Sequence, residues 1–227
     1  NDEDMSLVGY PKLPQKVLEL RDRLFRFGQQ VKLGVPWVWD AAIKPPKDAT
    51  WDFEQLAPDP TLSLAKFEAF VSQPKRSKMQ RWITIEPPPR VEDNGESHDE
   101  LESLNARATL FVRKIVAAKE HGVDAVLVSR PFDDRVGLMR SNGMPAELLL
   151  PWRTSAAMLG GTKFVGSVQL PNGSENRNFL RPDGKVVMVV WSSTPKEETL
   201  FLGNDVQQVD IWGGSTPLAV KDHEQTV

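Results

Sequence analysis

The 227-residue chain has no cysteine. That excludes disulfides and thiolate metal sites, and it leaves the compartment open, an extracytoplasmic one included. Basic residues are not in excess: 28 Lys and Arg stand against 31 Asp and Glu, a formal net charge of −3. This balance argues against general nucleic-acid or anionic-membrane binding. No apolar run is long enough to span a bilayer. The three histidines, His98, His121 and His223, are too far apart to suggest a metal site, and no other residue pattern implies a cofactor. The N-terminus, Asn1-Asp-Glu-Asp4, has neither the basic nor the apolar region of a signal peptide, and it lacks an initiator Met, as in a processed or excised piece. There is no internal repeat and no low-complexity tract.

What remains is ordinary globular composition, 40% hydrophobic and 26% charged, with length for one large domain or two small ones. One stretch stands out, Arg81-Trp-Ile-Thr-Ile-Glu-Pro-Pro-Pro-Arg90. Trp82, Ile83 and Ile85 favour a strand, and the proline triplet forbids its continuation. The strand therefore stops at Glu86 and leaves a carboxylate at its C-terminal lip, where α/β sheets and barrels carry their sites.

Helical spacing at Val17, Leu20, Leu24 and Phe27 predicts a first helix. Val31 to Asp40 reads as a strand, and Pro45-Pro46 with Trp51-Asp-Phe53 as a loop. Thr61 or Ser63 is placed to cap a helix running through Ser72. The charges of Lys75 to Arg81 read as a solvated turn. Glu100 to Glu120 carries the clearest helical stripe, from Leu101 through Ala118, closed by His121-Gly122. Asp124 to Ser129 is wholly apolar at its centre, as in a parallel strand covered on both faces. A loop with Arg130, Asp133 and Asp134 follows, and then a helix over Glu147–Leu159. After Gly161 the pattern changes to short strands over Phe164–Leu170, Asn176–Leu180, Val186–Trp191, Glu198–Leu202 and Val206–Trp212, divided by Gly, Pro and Asn turns. The reading is an α/β portion over residues 1–162 and an antiparallel β portion over 163–227, one sheet or a sandwich.

This order resembles the end of a TIM-barrel retaining glycoside hydrolase with its C-terminal β-domain. Three segments carry the resemblance. Trp82-Ile-Thr-Ile-Glu86-Pro is similar to the seventh barrel strand of that superfamily. Asp124-Ala-Val-Leu-Val-Ser-Arg-Pro-Phe-Asp133 with Leu150-Pro-Trp-Arg-Thr154 resembles the eighth strand, its loop and the closing helix. Asp183-Gly-Lys-Val-Val-Met-Val-Val-Trp191 through Val209-Asp-Ile-Trp-Gly213 is similar to the appended β-domain. The resemblance implies a partial (β/α)8 barrel, a carbohydrate substrate and Glu86 as nucleophile. It also implies that the acid/base, a Glu ending the fourth strand, lies outside this sequence.

Each candidate residue has two readings. Glu86 is a nucleophile, or a strand-end acid paired with Arg90 or Arg81. Trp37 and Trp39 share a strand face and either stack on a sugar or fill the core. Asp40 is a second lip acid, and the best candidate in this sequence for a second carboxylate. Arg130, Asp133 and Asp134 either bind substrate hydroxyls or hold Glu86 ionised, or they form an ion pair within a solvated loop. The competing functional class is a non-catalytic carbohydrate-binding or structural module on the same scaffold.

Overall fold

A computed structural model describes residues 13–28, 31–37, 52–73, 79–90, 100–221 and 224–227. The chain runs α1 (Leu13–Arg26), β1 (Gly34–Trp37), β2 (Phe53–Leu56), α2 (Leu64–Val71), β3 (Gln80–Ile85), α3 (Glu100–Glu120), β4 (Ala125–Val128) and α4 (Leu149–Leu159). There follow β5 (Lys163–Gly166), β6 (Glu175–Leu180), β7 (Val186–Trp191), β8 (Thr199–Leu200), β9 (Gln207–Val209), β10 (Ser215–Pro217) and β11 (Gln225–Thr226). Two compact units result: Asn1–Glu86 with Val123–Ser129, and Pro87–Gly122 with Arg130–Val227.

The first unit is built on a four-stranded sheet in the order β1-β2-β3-β4, with every neighbouring pair parallel. Alternation along β3 buries Arg81, Ile83 and Ile85 on one face, level with Glu54 and Leu56 of β2. Phe67 and Val71 of α2 are buried in the same unit. Ser63 caps α2 as its residue type predicts, accepting a hydrogen bond from the Lys66 amide. Arg81 is 1% exposed, so it does not belong to a solvated turn. Its Nη1 donates to the Gln73 carbonyl, and its backbone N–H donates to Asp124 Oδ2. Arg81 and the equally buried Glu54 face each other in register near the N-terminal end of the sheet.

The partial (β/α)8 barrel is not what forms. Closing a barrel takes about eight tilted strands with a fixed stagger, so that the first pairs with the last. Among the described residues the sheet has four strands and two open ends, at β1 and β4. The architecture is mixed α/β. The strand β4 is not covered on both faces as its apolar sequence suggests: Leu127, level with Thr84 of β3, is 37% exposed. The strand β2 begins at Phe53, the last residue of the segment whose sequence reads as a loop.

In the second unit α3 buries Ala108, Phe111, Ile115 and Ala118, close to its predicted stripe, although Leu101 at its start is exposed. Phe111 stacks on Trp152 of α4, with ring centroids 6.0 Å apart. Gly122 ends the helix at φ +71°, in the left-handed region a C-cap glycine supplies. The C-terminal strands form neither one sheet nor a sandwich. They form three small antiparallel sheets: β5-β6-β7, β8 with β11, and β9 with β10. Strands of two or three residues, each closed by a turn, are too short to build a broad sheet. No helix among the described residues is long and apolar enough to cross a membrane.

Candidate functional site

The side of the parallel sheet opposite the buried one carries a ladder of cross-strand contacts. Trp82 and Thr84 alternate onto this face, and Glu86 continues the rhythm one residue past the strand. At the lowest level the Trp82 ring stacks on Phe53 of β2, with centroids 3.7 Å apart and planes inclined by 14°. One level up, Gln55 Nε2 donates to Thr84 Oγ1 at 2.9 Å. At the top, the β3–β4 register sets Ile85 beside Val128, so Glu86 comes level with Ser129. There the Ser129 hydroxyl donates to Glu86 Oε2 at 3.3 Å. The three contacts are cross-strand pairs that the parallel register brings together. Their side chains are partly exposed, whereas the opposite face is sealed.

Glu86 therefore stands at the C-terminal end of a parallel sheet, on its partly exposed face and oriented by a hydroxyl donor. Arg81 cannot be its ion-pair partner. It lies five residues earlier on the other face, about 16 Å down the strand. Arg90 is engaged in the second unit, where its Nε donates to Glu147 Oε2 and a second nitrogen meets Oε1. Of the other described acids in the first unit, Glu54 and Asp124 lie at the N-terminal end of the sheet with Arg81.

Asp59 lies at the same end of the sheet as Glu86, three residues after β2. Its Oδ1 accepts from both the amide and the hydroxyl of Thr61, at 2.8 and 2.7 Å. Sequence reasoning missed Asp59, Gln55, Thr84 and Ser129. A signal was present, since Leu56-Ala-Pro-Asp-Pro60 repeats the motif of an acid among prolines at a strand end seen in Ile85-Glu-Pro-Pro-Pro89. Trp37 is the last residue of β1, at the same C-terminal end of the sheet. Trp39 and Asp40 lie outside the described residues.

Arg130 and Asp133 belong to the second unit and are brought together there. Arg130 Nη1 meets Asp133 Oδ2 at 3.5 Å. Arg130 has φ +44°, the one described non-glycine residue in the left-handed region. Asp133 Oδ1 accepts from the amides of Arg135 and Val136 at 2.8 and 3.1 Å. Those amides, that of Arg135 foremost, hold its carboxyl below the usual range. Asp134 is held low by the amide and hydroxyl of Ser141. Both acids thus close their own loop.

The Trp212 motif has an equally local cause. Asp210 Oδ1 accepts from the amides of Trp212 and Gly214, and Gly213 turns at φ +93°. Trp191 is flanked by the guanidinium groups of Arg113 and Arg177, 5.1 and 5.2 Å from its ring. Among the described residues no cluster of His, Cys, Asp or Glu is arranged to hold a metal ion.

No protein-family model matches the chain, and no curated protein matches it.

Proposed function

We propose that the protein acts on carbohydrate at the C-terminal lip of the parallel sheet, with Glu86 as its reacting carboxylate. The observation that carries this reading is the Glu86–Ser129 contact, on the partly exposed face directly above Gln55, Thr84 and Trp82. An indole surface suits the apolar C–H face of a sugar, and amide and hydroxyl groups suit its ring hydroxyls. In glycoside hydrolysis Glu86 attacks the anomeric carbon and forms a glycosyl ester. The leaving oxygen takes a proton from a second carboxylic acid, and water then cleaves the ester. Among the described residues Asp59, three residues after β2, is the acid suited to the second role, and Asp40, three residues after the end of β1 in the sequence, is the second candidate.

A second reading, a carbohydrate-binding module without catalysis, is favoured by Asp59 being held by Thr61. One experiment separates the two. The full chain is assayed on a panel of aryl glycosides and polysaccharides, for hydrolysis and for binding, beside Glu86→Gln. The enzyme reading expects hydrolysis that Glu86→Gln lowers by about a thousandfold or more while binding persists. Binding without hydrolysis selects the module. Neither binding nor hydrolysis overturns both.

A further inference from the structure

The edges of the three-stranded sheet in the second unit are protected unequally. One outer strand, β5, begins at Lys163 and is broken by a bulge between Phe164 and Gly166, where Gly166 has φ +130°. A charge and a bulge are the devices that keep an edge from pairing with other chains. The other outer strand, β7, has neither. It reads Val-Val-Met-Val-Val-Trp over six residues, without charge, proline or glycine. Its register against β6 is unbroken from Glu175–Trp191 to Leu180–Val186.

The hairpin fixes which backbone groups β7 presents outward. The Arg181 amide donates to the Lys185 carbonyl at 2.8 Å, so that level is a hydrogen-bonded one. Antiparallel alternation then turns the N–H and C=O of Val187, Val189 and Trp191 toward β6, and those of Val186, Met188 and Val190 away from it. The side chains of the outward set share one face, where Val186 is 60% exposed and Val190 37%.

We propose that β7 is a self-association edge, at which a second copy of this chain adds its own β7 antiparallel across a two-fold axis at Met188. The strand is self-complementary in that arrangement. Donors and acceptors spaced every second residue about Met188 match their own inverted copy. Val186 of each copy meets Val190 of the other, and Met188 meets Met188, so apolar groups pair with apolar groups. No charge falls within the paired segment, whose nearest flanking charge is Lys185. The contact is isologous and closes at two copies. Six residues a side is well below the roughly 20–30 of a standard interface, so the dimer is weak and concentration-dependent.

The full chain is examined by sedimentation equilibrium from about 10 μM to about 1 mM, the range of a weak interface. The expected result is a mass rising from monomer toward dimer, with Met188→Lys monomeric throughout and unchanged in circular dichroism. Because the chain has no cysteine, Met188→Cys introduces a single thiol. A short bismaleimide should link two copies through residue 188, and it should fail with Lys163→Cys on the protected edge. The proposal is overturned by a monomeric mass over the whole range, by a dimer that survives Met188→Lys, or by a dimer that Met188→Cys does not cross-link.

Discussion

Glu198 is 1% exposed, and its carboxylate accepts from the amides of Asn172 and Ser174 at 2.8 and 2.9 Å. Burial pushes its carboxyl up, but these donors and nearby Lys196 outweigh that and leave it below its ordinary value. A carboxylate with a depressed folded pKa stabilises the fold at pH values above its unfolded pKa, about 4.3, and that stability is lost as pH falls through the folded value. In urea unfolding, Glu198→Gln is expected to lower the midpoint at pH 7, with the deficit shrinking below about pH 4 as the wild-type carboxylate also protonates. A deficit that stays constant with pH contradicts this. Glu86 differs in kind. It stands on a partly exposed face, where the Ser129 hydroxyl donates to it from 3.3 Å. Residue identity alone does not separate the two acids. Glu198 follows Pro195-Lys-Glu197 in what reads as a strand start, and its donors lie 24 and 26 residues earlier in the chain.

Elements were legible where one local rule decided them. The α3 stripe, the Ser63 cap, the Gly122 stop and the limits of β7 all follow from spacing or from a single residue's chemistry. The strand β2 was not legible, because Phe-Glu-Gln-Leu has no β-branched residue and half of it is polar. It is a strand through its neighbours. Glu54 lies level with buried Arg81, Gln55 bonds Thr84, and Phe53 stacks on Trp82. That stack also requires Gly34 on β1, since a Cβ there would lie 2.0 Å from the Phe53 ring. Gly34→Ala is therefore expected to cost about 1–3 kcal/mol by forcing the ring aside. Chemical denaturation measures the loss, and an unchanged midpoint would remove Phe53 from this position.

Whether parallel strands close is a property of the whole molecule. Helix–strand alternation is the same in an open sheet and in a barrel, and strand number, tilt and stagger decide between them. The expected (β/α)8 barrel failed at this scale, while Glu86 still ended its strand at the C-terminal side of a parallel sheet. Among the described residues of the site, Glu86 and Trp37 were the ones read in advance at that end. Gln55, Thr84 and Ser129 join it through register across three strands, which no local pattern encodes. The carbohydrate reading depends on this lip and not on closure.

Covalent trapping tests the lip most directly. The protein is incubated with a set of 2-deoxy-2-fluoroglycosyl fluorides, which glycosylate a glycosidase nucleophile with loss of fluoride and turn over slowly, and is then digested for peptide mass mapping. The account predicts one glycosyl adduct per chain, on Glu86, and none on Glu86→Gln. An adduct on any other carboxylate, or hydrolysis of these glycosides that Glu86→Gln leaves intact, contradicts it.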